Sequence, residues 1–393
     1  MKKDLNKKKI FAAVLIVVTA VNLRAPITCV GSLINMISDD FGLSVGYAGF
    51  ITTIPLLAFA AVSPAAVFIS EKLGAGRIMT FSFIILNVGI LMRSYGAEVG
   101  IFAGTVVMGS AIAIGNVLLP AVIKSYFPER IADMTSLYTV IMQVVSAFST
   151  AVSVPLAVSF GWESSLSIWI ISASLTVAVC FFNWNLKISN DRAGQENNIT
   201  REKSSIYRKP MTWWITFYMG VQSLIFYSFI AWLSPMLQDR GYGQDMAGYV
   251  LSAFVIMGVA GSAALPFIMK RNKSQKMTGI QLGLMYFAGI LAVIFAKGEF
   301  IMIAGIMLSG FCSGTCISFS MSLFGLHTSN GEDASRLSGT AQSAGYLLAA
   351  AGPVALGKLY ESTGQWPVCF FVLLLCAAFL TAAGRIVGRE EIL

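Results

Sequence analysis

The chain has 393 residues, of which 56% are hydrophobic and only 12% are charged, and its formal net charge is +8. Soluble globular proteins carry about 25% charged residues, so this composition excludes an ordinary soluble protein and predicts an all-α polytopic membrane protein. The basic residues lie in short loops between apolar segments, where they orient a protein in the bilayer. We therefore expect a lipid bilayer around the protein and no nucleic-acid partner.

The first predicted span, Ile10–Ile37, contains Arg24 near its centre. A transmembrane helix needs about 20 residues, so Arg24 is too far from either end of this run to reach the membrane surface. An arginine at the bilayer centre costs about 2.5–3.5 kcal/mol on insertion scales. We predict that Arg24 faces a wet cavity and binds substrate. The alternative is a stabilising arginine held by carbonyl and hydroxyl groups of neighbouring helices.

The neighbours of Arg24 support a site at this point of the span. Pro26 removes a backbone donor and is expected to bend the helix there, although a passive kink is the alternative. Thr28 lies four residues after Arg24 and therefore on the same helix face. We include Thr28 and Asn22 among the candidate substrate contacts.

Hydropathy predicts about twelve transmembrane helices along the chain. A polar segment, 187–209, follows the sixth span and is predicted to be a cytoplasmic linker between six-helix domains at 1–186 and 210–393. The twelve predicted spans are Ile10–Ile37, Val45–Ile69, Ile78–Met92, Val99–Ile123, Met134–Val158, Leu166–Trp184, Trp213–Leu237, Met246–Met269, Met277–Ala296, Phe300–Leu326, Leu337–Leu359 and Pro367–Val387.

The distribution of basic residues predicts the orientation. With an even number of spans, 22 of the 27 lysines and arginines fall on the side of the N-terminus. Only Arg93, Arg240, Lys297 and Lys358 are placed on the other side. The positive-inside rule then puts both termini in the cytoplasm, and we expect a multi-pass protein of the inner (cytoplasmic) membrane.

The two halves of the sequence resemble each other. Met36–Asp39 recurs as Met236–Asp239, and each is followed by an Ala-Gly pair. A proline segment at 154–157 similarly has a counterpart at 352–355. These repeats predict two related six-helix bundles, an arrangement in which substrate binds between the repeats and access alternates between the two sides.

With this layout, the chain resembles the major facilitator superfamily over essentially its whole length. The loop after the second span is similar to that superfamily's motif, G-x-L-A-D-R-x-G-R-R. Val67 stands at the leading glycine, and Arg77 alone represents the paired basic residues. Glu71 takes the Asp place, Lys72 the Arg place and Gly74 the Gly place. The resemblance implies a gating loop formed by Glu71, Lys72, Gly74 and Arg77.

Four segments resemble the cyanate and nitroimidazole transporter family more specifically. They are Asn22–Thr28, Gly115–Pro120, Gln222–Leu233 and Leu337–Tyr346. Members of that family are assigned chemically unlike cargoes, so the resemblance implies a transporter without fixing its substrate.

Further polar residues lie in the middle of spans that surround the cavity in the resembled fold. Amide and hydroxyl groups can orient an anion or a nitrogen ligand beside a guanidinium group. The alternative for each is an interhelical hydrogen bond, worth about 0.6 kcal/mol. The candidates are Asn116, Gln143, Gln222, Tyr227, Gln342 and Tyr346.

No carboxylate lies in the middle of a predicted span, so the predicted pore holds one fixed positive charge. We therefore expect a secondary or facilitative transporter, acting as a monomer, for a small anion or a small polar molecule with a negative end. The main alternative is a proton-coupled multidrug exporter, which usually needs an intramembrane acidic group. The six cysteines and the single histidine show no metal-ligand pattern, and no catalytic motif is present. We expect no cofactor, no metal and no enzymatic activity.

Overall fold

A computed structural model describes residues 2–42, 50–184, 206–272, 274–296 and 298–393. The described residues are almost entirely helical and contain no strand, which confirms the predicted all-α class. The helices are α1 Lys2–Asn22, α2 Ala25–Thr28, α3 Ile34–Phe41, α4 Phe50–Leu73, α5 Ala75–Tyr95, α6 Ala97–Tyr126, α7 Ile131–Phe160, α8 Trp162–Ser167, α9 Ile170–Phe182, α10 Pro210–Asp239, α11 Gln244–Asn272, α12 Gln275–Phe295, α13 Glu299–Leu326, α14 Gly331–Thr363 and α15 Trp366–Val387.

Within the described ranges, 11 stretches are long and apolar enough to cross a membrane. The remaining predicted span, Leu337–Leu359, lies in α14, which has 33 residues and is therefore about 50 Å long. Its polar residues lower its mean hydropathy, so it is not one of the 11 stretches. α14 packs against α4, α6 and α10, so its polar side chains face other helices rather than lipid.

The first span is a broken helix. α1 ends at Asn22, Leu23 and Arg24 form a turn, and the four-residue α2 begins at Ala25. Pro26 has no N–H and therefore cannot donate to the carbonyl group of Asn22, four residues earlier. The predicted bend at Pro26 is confirmed, and it places Arg24 at the break.

We refer to residues 2–184 as the N-terminal half and to residues 206–393 as the C-terminal half. In the first, the indole of Trp162 donates a hydrogen bond to Asp40 (3.1 Å). In the second, the indole of Trp366 donates to Asp239 (2.6 Å). Each bond joins the end of that half's first span to the start of its sixth, which is consistent with the repeat. The predicted linker lies largely outside the described residues, so the division into two bundles remains a prediction.

Several hydrogen bonds join the two halves. Ser343 donates to the carbonyl oxygen of Ala60 (2.6 Å), and the hydroxyl groups of Thr139 and Ser318 are 2.7 Å apart. Ser136 also donates to the carbonyl oxygen of Ser262. These contacts lie between the middle of the bundle and the terminal face, which we define as the face at which α1 begins and α15 ends. The two halves are therefore in contact at the terminal face in this conformation.

Candidate functional site

A cavity of about 40 Å³ lies between the two halves. It is bordered by the break after α1 and by α7, α10, α13 and α14. A buried water needs about 10–15 Å³ of such space, so this conformation has room for roughly three waters or a ligand of a few non-hydrogen atoms. The lining residues are Arg24, Thr139, Met142, Gln143, Gln222, Ser223, Phe226, Tyr227, Ser313, Ile317 and Tyr346.

Arg24 is the charged residue among these lining residues. It is half-buried, and its guanidinium group interacts with three tyrosines, Tyr227, Tyr346 and Tyr138. Its main-chain carbonyl oxygen accepts hydrogen bonds from the amide groups of Ile27 and Thr28, each at 3.0 Å. The break therefore fixes the backbone of Arg24, while its side chain meets neutral groups that leave its charge uncompensated.

Two glutamines contribute amide groups to the cavity wall. Gln143 donates from Nε2 to the hydroxyl oxygen of Ser262 (3.3 Å), which joins the two halves beside the cavity. Gln222 donates from Nε2 to the hydroxyl oxygen of Ser223 (2.7 Å). These contacts orient the amides, and amides can both donate to and accept from a bound molecule.

Aromatic rings form another part of the wall. The rings of Phe226 and Tyr227 are 5.2 Å apart in an edge-on arrangement, and Tyr346 packs on Phe59 at 5.3 Å. Such pairs fix ring orientation. The cavity therefore combines one cation, hydroxyl and amide groups, and aromatic edges.

Five of the predicted substrate contacts line the cavity: Arg24, Gln143, Gln222, Tyr227 and Tyr346. Six further lining residues were not predicted from the sequence: Thr139, Met142, Ser223, Phe226, Ser313 and Ile317. A helical signal was present, because Phe226 follows Gln222, and Tyr227 follows Ser223, by four residues, which places each pair on one face. Small hydroxyl residues are common in these helices, so they gave little indication of the cavity.

Asn22 and Thr28 lie beside the break but make packing contacts outside the cavity lining. Asn22 is fully buried and donates to the hydroxyl oxygen of Thr176 in α9 (2.7 Å). The hydroxyl group of Thr28 is 2.7 Å from that of Ser149 in α7. Their contacts agree with the interhelical alternative.

Asn116 and Gln342 are likewise placed together outside the cavity lining. Gln342 donates from Nε2 to the main-chain oxygen of Asn116 (3.0 Å) and to the hydroxyl of Ser338 (2.8 Å). The first of these bonds crosses from the C-terminal to the N-terminal half. Both residues therefore belong to the interface between the halves.

The predicted gating loop also contacts the opposite half. Glu71 accepts from Nε of Arg336 at 2.6 Å, and Arg336 is also paired with Glu332 and Asp333. In the same loop, Lys72 lies over the ring of Phe68, Arg77 is exposed, and Gly74 has φ +88°, a conformation that favours glycine. The loop therefore contributes an ion pair to the closed terminal face.

Three residues have surroundings that sequence analysis did not predict. Arg93, which was placed in a loop on the opposite side, lies in α5 and is fully buried. His327 is also buried, because residues after α15 cover it. Trp232 donates to the carbonyl oxygen of Pro353 (2.9 Å) and so joins two helices of the C-terminal half.

The Major Facilitator Superfamily model matches residues 13–353. An uncharacterized transporter of Bacillus subtilis (strain 168) is 35% identical, with 96% of this chain and 93% of the relative covered. The 2-nitroimidazole transporter of Escherichia coli (strain K12) is 31% identical over 98% of this chain and 97% of the relative. The cyanate transport protein of the same organism is 22% identical, covering 93% of this chain and 94% of the relative.

Solved structures agree with this assignment of fold. The crystal structure of the E. coli fucose:proton symporter has a TM-score of 0.76 to this chain at 12% identity. It covers 97% of this chain and 99% of that one. At this identity the match shows the fold and carries no information on substrate.

Proposed function

The chain belongs to the major facilitator superfamily, and we propose that this multi-pass membrane transporter moves a small anion, or a small polar molecule with a negative end, by alternating access. The observation that carries this proposal is the position of Arg24. It lies at the break of the first span and lines a cavity between the two halves. No carboxylate is among the described residues that line this cavity.

The physical basis is the electrostatics of a charge removed from water. A guanidinium group held away from bulk solvent has lost part of its hydration and attracts a negative group more strongly than it would in water. Its planar set of N–H donors also matches two oxygens of a carboxylate or another oxyanion. The tyrosine hydroxyls and glutamine amides around Arg24 can then orient the remainder of the ligand.

The interface between the halves supports the alternating-access part of the proposal. We propose two six-helix bundles, 1–186 and 210–393, that move relative to each other about the cavity. Glu71 with Arg336, and Gln342 with Asn116, are contacts that separation of the bundles at the terminal face would break. The distribution of basic residues favours a cytoplasmic-membrane protein with the terminal face inside the cell. We propose that it acts as a monomer.

The alternative of a proton-coupled multidrug exporter has less support. Such a transporter needs a group in the pore that gains and loses a proton, or a negative group for a cationic drug. Among the described residues of the cavity wall, the ionisable side chains are Arg24 and two tyrosines. An arginine does not titrate in proteins, which favours the anion.

A ligand-stabilisation screen on purified protein tests the proposal. We expect nitrite, cyanate or benzoate to raise the melting temperature more than the cationic dye ethidium does, because binding to the folded state stabilises it. 2-Nitroimidazole tests a polar ligand without a full negative charge. The stabilisation by the anions is expected to be lost in Arg24→Ala. Stabilisation by ethidium alone, retained in Arg24→Ala, would contradict the proposal.

A further inference from the structure

Arg93 is a buried charge that the cavity does not use. Its side chain is fully buried in α5, and no ion pair with an acidic residue involves it among the described residues. Its Nη1 donates to the main-chain carbonyl oxygen of Pro26 at 2.5 Å. Its Nη2 is 3.7 Å from the sulfur of Cys29. Both contacts are with the short segment that follows Arg24.

The carbonyl oxygen of Pro26 needs such a donor because the helix ends there. α2 stops at Thr28, and the last carbonyl groups of a helix have no amide partner within it. Besides Arg93, Pro26 accepts a bond from the thiol of Cys29 (3.4 Å), and a thiol is a weak donor. Arg93 therefore caps α2.

Arg93 is itself held on a rigid support. α5 and α6 pack closely, so that a Cβ atom added at Gly104 would overlap the main chain of Arg93. A Cβ added at Gly89 would similarly approach the main-chain nitrogen of Met108 to 2.6 Å. Such close packing leaves the backbone of α5 little freedom to shift. The donor to Pro26 consequently comes from a fixed point in the N-terminal half.

We propose that Arg93 is a positioning residue, which fixes the broken segment of the first span and thereby the direction in which Arg24 enters the cavity. Arg24 lies two residues before Pro26, and its carbonyl oxygen is bonded to the amides of α2, so a shift of α2 is transmitted to Arg24. Ser149 contacts the same segment from α7 through Thr28. This inference rests on the proposed function, because the position of Arg24 matters for transport only if Arg24 binds the ligand.

Arg240 provides a matched control in the C-terminal half. Its Nη2 donates to the main-chain carbonyl oxygen of Val293 (3.3 Å), and its Nη1 contacts the sulfur of Met302 (2.7 Å). It therefore makes the same two kinds of contact as Arg93, but on helices that do not carry Arg24. Arg240 is exposed, unlike Arg93, so Arg240→Met controls for removing a guanidinium group that bonds a main-chain carbonyl away from the break.

The experiment compares wild type, Arg93→Met, Arg93→Lys and Arg240→Met as purified full-length proteins. The first measurement is hydrogen exchange of the peptide covering residues 23–33, relative to peptides of α12 and α15. The second is nitrite affinity by calorimetry. In Arg93→Met we expect faster exchange confined to 23–33 and nitrite binding at least about tenfold weaker, because small displacements of a binding group cost large factors. Arg93→Lys, which can keep one bond to Pro26, should recover part of both.

Unchanged exchange of 23–33 in Arg93→Met, or an equal increase in Arg240→Met, would overturn the positioning role. Faster exchange with wild-type nitrite affinity would also overturn it, since the break would then be uncoupled from Arg24. If wild type does not bind nitrite, the exchange measurement still decides whether Arg93 holds the break, and only the proposed substrate class is called into question. If Arg93→Met does not accumulate, the Arg93→Lys protein is compared with wild type by the same two measurements.

Discussion

Gln342 in α14 donates a hydrogen bond to the main-chain carbonyl oxygen of Asn116 in α6, at a distance of 3.0 Å. The bond crosses between the two halves of the protein and is buried. Asn116 contributes its backbone, so the identity of its side chain is not needed for this contact. The pair is therefore a contact that holds the halves together at the terminal side of the cavity.

We predict that Gln342→Ala favours separation of the halves at the terminal face. Loss of a buried hydrogen bond costs about 1 kcal/mol, which changes a two-state population by about fivefold. The alkylation rate of Ser63→Cys, introduced into a cysteine-free background, measures this separation. Ser63 is fully buried, and its carbonyl oxygen in α4 would lie 3.2 Å from a Cβ atom added at Gly339 in α14. The two halves therefore meet at this position. We expect about fivefold faster alkylation.

Ser309→Cys is the control for this measurement. Ser309 is also fully buried, but it packs against Gly289 within the C-terminal half. Its alkylation rate should not change with Gln342→Ala. Equal acceleration at both positions would indicate general loosening, and no acceleration at Ser63→Cys would show that the bond does not control closure.

We predict that Arg24→Ala abolishes transport while folded protein still accumulates. Removing a mid-membrane charge without a carboxylate partner relieves an insertion cost of about 2.5–3.5 kcal/mol. Arg24→Lys should restore little, since an ammonium group cannot make the bidentate contacts of a guanidinium group. Uptake into proteoliposomes, normalised to folded protein, measures both effects. Wild-type transport by Arg24→Ala would refute the binding role, and failure of that variant to accumulate would support a structural role.

Low pH is expected to release the segment that follows α15. The two ring nitrogens of His327 lie 2.8 Å and 2.7 Å from the carbonyl oxygens of Glu391 and Val387, and Leu393 donates to the carbonyl oxygen of His327 (2.7 Å). Burial lowers the pKa of His327 below its ordinary value of 6.5, although the two carbonyl oxygens oppose this shift. The docked segment thus contributes stability above pH 6.5 that is lost as the pH falls below it.

The hydrogen-exchange rate of the peptide covering residues 388–393 measures this release. After correction for the intrinsic pH dependence of exchange, it should be faster at low pH in wild type. His327→Gln keeps an amide donor but does not titrate, so its exchange should not depend on pH in this range. Equal pH dependence in the two proteins would show that another group is responsible.

The sequence predicted the helices well because a bilayer requires long apolar helices, and it predicted the break because proline removes a backbone donor at Pro26. Errors arose at helix ends. Arg93 lies one residue beyond its predicted span, whereas α5 continues to Tyr95, so a buried residue was assigned to a loop. His327 follows α13 directly, and only a distant segment of the chain buries it.

The cavity was less predictable than the helices. Hydropathy does not distinguish a polar side chain that lines a cavity from one that binds a neighbouring helix. The hydroxyl of Thr139 borders the cavity and also donates to the carbonyl oxygen of Thr135 (3.0 Å). Asn22, with equal polarity, instead donates to Val18 in its own helix and to Ser172 and Thr176 in α9. The two arginines show the same limit. Arg93 is bonded to a main-chain carbonyl group, which is the stabilising role that the sequence left open as the alternative for Arg24.

The last prediction concerns energy coupling. The structural neighbour described above is a proton symporter, but at 12% identity it shows only the fold. In the described lining of this cavity the charged residue is Arg24, which does not titrate, and tyrosines ordinarily titrate near 10. His327 lies after the end of α13, outside the cavity. No side chain of this lining therefore loads and releases a proton near neutral pH, and we predict uniport or anion exchange.

Proteoliposomes test this prediction with nitrite, whose charge is constant across the neutral range. A proton gradient imposed by changing only the internal pH, with the membrane potential clamped, should give no uptake above equilibrium. Preloading with unlabelled nitrite should accelerate uptake of labelled nitrite if the mechanism is exchange. Accumulation that a protonophore abolishes, together with proton movement driven by nitrite, would contradict the prediction. It would require a proton-binding group outside the described lining, and mutation of each acidic residue to its amide would then locate it.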